Sequence, residues 1–219
     1  MRVIHVSSSD NDGGAAKAAY RYHLALRQCG VDSLMLVGKK QTQDPYVFPE
    51  FKSLQKLSLF IKKAIDRLYL KFFTRKTSGF FSPGIAPSFL KKKILALHPD
   101  IIHVHWINDG FFNLSELIGI NIPVVITLQD LWYSTGGCHY TGNCARFSQS
   151  CGECPVLNSN DADDLSAKLF KQKKNIFESI KPKFTTNSNL TREQALRSSL
   201  TKKYPIKAIF NCLDTDLYS

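Results

Sequence analysis

The sequence predicts an α/β protein built on a single Rossmann-like, doubly wound, mainly parallel sheet that carries a cysteine-rich loop. Three observations lead there. Short apolar stretches with strand character alternate with amphipathic helical stretches along the whole chain. The length, 219 residues, suits one well-filled domain and is tight for two. Four of the six cysteines fall between Asp130 and Leu157, directly after the apolar run Val124–Leu128. The carboxyl end of a strand is where open α/β sheets hold their ligands.

The elements follow in order. Val3–Ser7 reads as a strand and Ser8–Gly14 as a polar, glycine-containing loop. Ala15–Gln28 has helical spacing, with Ala16, Ala19, Tyr20, His23, Leu24 and Leu26 near one side, and Gly30 supplies the stop. Ser33–Val37 is a second strand. Leu54–Phe73 is a long helix whose apolar residues include Leu57, Phe60, Ile61, Ala64, Ile65, Leu68 and Phe72. A Gly/Pro loop, Thr77–Pro87, leads to a helix at Phe89–Leu97 and a buried strand at Ile101–His105. Leu114–Ile118 is a short helix and Pro123–Leu128 a strand. Beyond the cysteine loop come a polar helix (Asp161–Ile180), a strand (Lys183–Thr186), a helix opened by a capping box at Thr191-x-x-Gln194 and running to Ser199, and a last strand (Ile206–Phe210). No internal repeat and no low-complexity tract interrupts this order.

Composition narrows the function classes. At 43% hydrophobic and 21% charged residues the chain resembles ordinary globular proteins. No apolar run approaches the roughly 20 residues needed to span a bilayer, and the apolar stretch of the N-terminus is too short for a signal peptide. The expected location is therefore the cytoplasm, where clustered thiols stay reduced. The net charge of +11 is concentrated: eleven bases between Lys52 and Lys93 face Asp66 alone, so this segment supplies +10. Two readings of the Leu54–Phe73 helix follow. Its apolar face packs on the sheet while the lysines face water, or the helix and Lys91-Lys92-Lys93 meet anionic lipid, which places the protein peripherally at the inner face of the cell membrane. A sequence pI of about 9.4 also raises nucleic acid, but the aromatic-with-basic patterns of common RNA-binding folds are missing, so no nucleic-acid partner is expected.

Five segments carry candidate chemistry. Gly13-Gly14, between the first strand and first helix, permits close approach of a ligand to backbone and leaves helix N–H groups free for a diphosphate; a simple tight turn is the alternative. In His103-Val104-His105-Trp106, alternation puts the two histidines on one face, either lining a cleft or hydrogen-bonded in a core. Asn108-Asp109-Gly110 follows. In Gln129-Asp130-Leu131-Trp132, Asp130 either binds a hydroxyl or caps the loop after the strand. Cys138-x5-Cys144-x6-Cys151-x2-Cys154 could close a tetrahedral structural zinc site, with His139 as a substitute ligand; free thiols or a disulfide are the other readings. Four cysteines would leave no open position for a catalytic zinc. Cys29 and Cys212 are isolated and read as small buried hydrophobes.

Taken together, VIHVSSSDNDGGAAKAAYRYHLALRQCGVDSLMLVG, HPDIIHVHWINDGFFNLSEL, PVVITLQDLWYSTGGCHYTGNCARF with CGECPVL, FTTNSNLTREQALRSS and IFNCLDTDLYS resemble, in this order, the N-terminal domain of retaining family-four glycosyltransferases of the GT-B fold. The subgroup that builds bacterial exopolysaccharides of the colanic-acid type is the best match. The resemblance implies a Rossmann-like acceptor-side domain at residues 1–210, with the cysteine-rich loop at 128–157. It implies a glycine loop, Gly13 and Gly14, facing a nucleotide-sugar. His105, Trp106, Asn108 and Trp132 would line the acceptor cleft, with Asp130 and Gln129 at the catalytic position. The family has histidine where this chain has Gln129, and an amide cannot take up a proton near neutral pH. The Asn108-Asp109-Gly110 loop replaces the family's Asn-Gly-Gly, which puts its backbone conformation in question. Members of this kind need no metal for chemistry.

Residues 211–219 resemble the start of the hinge that leads into the donor-binding domain, with Cys212 in place of a glycine. The resemblance therefore implies an enzyme that moves sugar from a nucleotide-sugar to a lipid-linked or polysaccharide acceptor. These residues alone are expected to be inactive without the C-terminal donor domain, which a separate subunit could supply. The alternative is a non-catalytic module that holds a membrane surface or a partner.

Overall fold

Seven parallel strands form one sheet in the order β3-β2-β1-β4-β5-β6-β7. The computed structural model describes residues 1–51 and 53–212; the hinge-like segment 213–219 lies outside the described residues. The strands are β1 (Arg2–Ser9), β2 (Asp32–Lys39), β3 (Val47–Pro49), β4 (Ile101–Val104), β5 (Val124–Leu128), β6 (Lys183–Thr186) and β7 (Ile206–Ala208). The helices are α1 (Gly14–Gln28), α2 (Gln55–Phe73), α3 (Lys91–Ala96), α4 (Leu165–Ile180) and α5 (Asn189–Arg197). The expected doubly wound α/β architecture is what the chain adopts.

Register explains the core. Leu36, Val6, Val104, Ile126 and Phe184 are partners across five neighbouring strands. Leu34, Ile4, Ile102 and Val124 make a second row below them. Both rows lie in the main cluster, with Leu90, Ile94, Phe170 and Phe177 from the α3 and α4 side. Each such side chain stabilises the fold by about 1.5–3 kcal/mol on leaving water. The opposite face lies under α1, whose Ala16, Ala18, Ala19 and His23 are buried. Here the register sets His5 beside Met35 on one side and His103 on the other.

Element ends moved for identifiable reasons. The strand β3 has three residues, too few to leave a sequence pattern. The helix expected at Phe89–Leu97 shortens to Lys91–Ala96, because Phe89 has φ 56°, outside helical space. The α4 helix starts at Leu165, where the Asp164 carboxylate accepts from the amides of Ser166 and Ala167, rather than at Asp161. The α5 helix starts three residues before the expected box: Ser188 is the cap and accepts from Thr191 N–H. The stretch Leu114–Leu117 is a single 3-10 turn.

The largest departure is the orientation of α2. Its inward side carries charge. Lys62 is buried against Glu50, and the Asp66 carboxylate accepts from the amides of Ile85 and Ala86 at 3.0 Å each. Leu59, Tyr69 and Leu70 pack inward beside them, but Leu57, Phe60, Ile61, Leu68 and Phe72 face solvent, Phe60 71% and Phe72 85% exposed. Of the seven residues expected on one apolar face, Ala64 and Ile65 are half-buried and the other five are exposed, so that face as a whole does not close on the sheet.

Candidate functional site

The strand order reverses between β1 and β4, and such a switch point opens a crevice at the carboxyl ends of the strands. A hollow of about 240 Å³ lies there, lined among others by Ser8, Ser9, Asp12, Lys39, Trp106 and Asn108. The buried Asp10 holds one rim in place, because its carboxylate accepts from the amides of Gln41 and Thr42 and from the Thr42 hydroxyl. Gly13 precedes α1 with φ 87°, a conformation open to glycine, and a Cβ there would meet nothing within 4 Å. Gly14 opens the helix and is equally free of neighbours, and no side chain caps α1. The first amides of this 15-residue helix therefore lack a side-chain cap, at the positive end of its dipole.

Beyond β4 the four expected cleft residues divide. Asn108 is buried, and neither its Oδ1 nor its Nδ2 has a hydrogen-bond partner. Buried amides are almost always paired, so this one is unusual among the residues that line the hollow. Trp106 is half-buried on the same wall, its indole N–H donating to Asp130 Oδ2 at 3.0 Å. His105 and Trp132 are corrections. Both are buried and cannot touch a sugar bound in the hollow. Asp109 takes φ 62°, a left-handed conformation that aspartate tolerates, and pairs with Lys63 at 2.7 Å. The loop keeps a glycine-like path despite the added carboxylate.

The histidines form a core cluster. His5 Nδ1 and His105 Nε2 are 2.8 Å apart, and His103 Nε2 bonds Thr127 Oγ1 at 2.7 Å. Burial pushes His103 down to about 4, and burial with the neighbouring imidazoles holds His5 and His105 well below the usual histidine value. All three are neutral at neutral pH. Among the described residues this is the one group of three metal-type side chains whose ligand atoms lie within 4.8 Å of one another. Its His5–His105 separation is that of a hydrogen bond, and Tyr22 packs over His103 and His105.

Asp130 follows β5 and caps the turn after it, one of its two expected roles. Oδ1 accepts from Trp132 N–H at 2.8 Å, which caps the turn. Oδ2 lies 2.6 Å from His139 Nδ1, and His139 Nε2 is 2.9 Å from Ser82 Oγ. A carboxylate at Nδ1 favours a proton there, which leaves Nε2 to accept from the serine hydroxyl. The resulting relay, Asp130–His139–Ser82, ends at a second hollow of about 130 Å³ lined by Ser82, Phe80, Asp66 and Arg67. Sequence reasoning singled out His139 only as a spare metal ligand and missed Ser82, which lies 57 residues away. Gln129 is half-buried; its Oε1 is 3.4 Å from Asn187 Nδ2, and its own Nε2 is unpaired.

The cysteine loop packs between Phe81 and α4. Gly152 has φ 130°, and a Cβ there would collide with the Ala162 carbonyl. Cys138, Cys144, Cys151 and Cys154 line one small pocket of about 20 Å³. The Cys138 and Cys154 sulfurs are 3.7 Å apart, and no third cysteine sulfur is within 4.8 Å of both. Cys154 is the more acidic, favoured by the Cys138 hydrogen bond and by the amides of Leu157 and Val156. Burial raises Cys151 to about 12. Lys173, from α4, is buried over the Trp132 ring and donates to the Trp132 and Thr135 carbonyls at 2.6 and 3.0 Å; burial lowers it to about 7. Cys29 is exposed, against the expectation of a buried residue.

No protein-family model matches the chain. Over 168 residues it is 26% identical to WcaC of Escherichia coli (strain K12), named a putative colanic acid biosynthesis glycosyl transferase; the match covers 73% of this chain and 40% of that protein. The whole chain also overlays 46% of the crystal structure of Anabaena Alr3699/HepE in complex with UDP, with a TM-score of 0.48 and 13% identity. The chain thus spans about two fifths of the curated relative that it matches. In sequence the chain is glycosyltransferase-like.

Proposed function

We propose that these residues form the acceptor-side lobe of a retaining glycosyltransferase of family four. The enzyme would transfer a sugar from a nucleotide-sugar to a polysaccharide or lipid-linked acceptor. The observation that carries this reading is the switch-point hollow, lined by Trp106 and Asn108 and by Asp12, which directly precedes the uncapped Gly13-Gly14 start of α1. The two features have complementary chemistry. The free amides behind Gly13 and Gly14 suit a diphosphate. The Asn108 amide, which both donates and accepts, suits a sugar hydroxyl. Trp106 offers an indole face on the same wall. Gln129 holds its place by hydrogen bonding without moving a proton, so proton handling falls to the acceptor hydroxyl's other neighbours, donor oxygens included.

The donor-binding lobe lies outside residues 1–219 in this proposal, and Asn211 and Cys212 lead toward it. The exposed apolar side of α2, flanked by Lys56, Lys63, Arg67 and Lys71, would set the lobe on an anionic membrane where lipid-linked acceptors reside. No helix among the described residues is long and apolar enough to cross a membrane.

Transfer of radiolabelled sugar from a panel of nucleotide-sugars tests the reading. Residues 1–219 alone should give no turnover. With a donor-binding lobe supplied, transfer should appear, and Asn108→Ala should lower kcat/KM by about tenfold, the weight of one hydrogen bond. Transfer that is indifferent to Asn108→Ala refutes the assignment of the hollow. A second reading, a non-catalytic module that binds a membrane or a partner, is favoured by one observation: the family's histidine is Gln129 here. If Gln129→His is needed before any transfer is seen, that reading holds.

A further inference from the structure

We infer that the cysteine loop is a zinc site with four thiolate ligands, Cys138, Cys144, Cys151 and Cys154, and that the buried Lys173 ammonium is its counter-cation. The distance between the closer pair of sulfurs sets the scale. Zinc–sulfur bonds of about 2.3 Å at tetrahedral angles place two sulfurs about 3.8 Å apart. Cys138 and Cys154 are 3.7 Å apart, with no bond between them. They share the wall of one small pocket with Cys144 and Cys151, and its volume of about 20 Å³ is that of a single small occupant.

Backbone donors already point at the sulfurs. Gly136 N–H donates to Cys151 Sγ at 3.2 Å, and the amides of Val156 and Leu157 reach Cys154. Amide donors of this kind stabilise thiolates and orient them toward a metal. Only Cys138 and Cys154 stand at the spacing of two zinc ligands, and no third sulfur is within 4.8 Å of both, so closing onto a metal needs the half-buried Cys144 and Cys151 to move inward.

Charge balance supplies the second half. Four thiolates around a divalent ion carry a net charge of −2, costly in a buried site unless compensated. Lys173 is buried, and the charged groups acting on it are Cys151, Asp130 and Cys138, in that order. Burial alone disfavours the ammonium, and a loaded site would add negative charge beside it to that of Asp130. The function follows from position. Zinc would pin the loop that carries Asp130, His139 and Trp132 against α4, where the loop has few apolar residues of its own.

The test uses the full chain, expressed and purified without chelator. Elemental analysis should find about one zinc per chain, with four of the six thiols unreactive toward a thiol reagent until zinc is stripped. Exchange into cobalt should give the intense visible bands and the thiolate charge-transfer band of a tetrahedral sulfur site, a readout that needs no variant to fold. Lys173→Met, checked for native circular dichroism, should lower zinc affinity by about 10–100-fold in a chelator competition. Cys29→Ser should leave stoichiometry unchanged. Negligible zinc with six titratable thiols overturns the proposal, as does negligible zinc with four thiols, which would mean a disulfide. Unchanged affinity in Lys173→Met overturns the counter-cation role.

Discussion

The outward-facing apolar side of α2 gives a membrane-binding prediction with a computable size. Lys56, Arg67 and Lys71 are exposed on this helix, and none forms an ion pair among the described residues. A base near an anionic surface contributes about 1 kcal/mol. Replacing the three with glutamine should therefore weaken binding by about 3 kcal/mol, a drop of more than a hundredfold in the partition coefficient. The assay is co-sedimentation with vesicles of phosphatidylglycerol and phosphatidylcholine, against vesicles of phosphatidylcholine alone, over a salt series. Binding of the unaltered chain should fall as salt rises, because the screening length shrinks from about 10 Å at 0.1 M to about 3 Å at 1 M. A paired variant, Phe60→Ser with Phe72→Ser, should lose the salt-resistant remainder and keep its thermal stability, since both rings are already in water. Equal binding to both vesicle types, or a triple variant that binds like the parent, refutes the reasoning.

Other consequences concern stability. Asp66→Ala leaves the Ile85 and Ala86 amides without their buried acceptor and should cost about 2–5 kcal/mol, read from urea unfolding. Gly152→Ala forces a Cβ onto the Ala162 carbonyl at φ 130° and should lower the thermal midpoint by several degrees, where the same change at the open Gly142 does much less. His103 titrates at about 4 in the folded chain and near 6.5 unfolded, so below pH 6.5 the unfolded chain binds more protons. Stability should be complete above pH 6.5 and fall as pH drops toward 4, by up to about 1.4 kcal/mol per unit for each such histidine. Urea midpoints should show this slope, and His103→Gln should flatten it.

The alternation of strands and helices was legible in the sequence because buried parallel strands are near-continuous apolar runs. Val3–Ser7, Ser33–Val37 and Pro123–Leu128 left such runs, and Val47–Pro49 did not. The inward side of α2 was not legible. Helical spacing of Leu57, Phe60, Ile61 and Leu68 says that they share a face, but not which way that face points. The seats of Lys62 and Asp66 depend on Glu50 and on the Ile85–Ala86 backbone, contacts that no local pattern encodes. Gly13, Gly14 and Asn108 were readable as residues of the loops that follow strands. His105 was misplaced because period-two alternation assigns a face without saying whether that face is covered. His5 and Ser82 were missed for a related reason. Each gains its meaning from a partner, His105 or His139, that is 100 or 57 residues away.

The two flanks of the sheet have a consequence for solubility. Its outermost strands are three residues each, Val47–Pro49 and Ile206–Ala208. Pro49 ends one of them with a residue that has no N–H to offer, and Lys207 sits at the centre of the other. A neighbouring molecule that tried to extend this sheet by strand addition would find almost no unpaired backbone to bind. The protein can therefore expose a greasy helix on its surface without also presenting a template for fibrils.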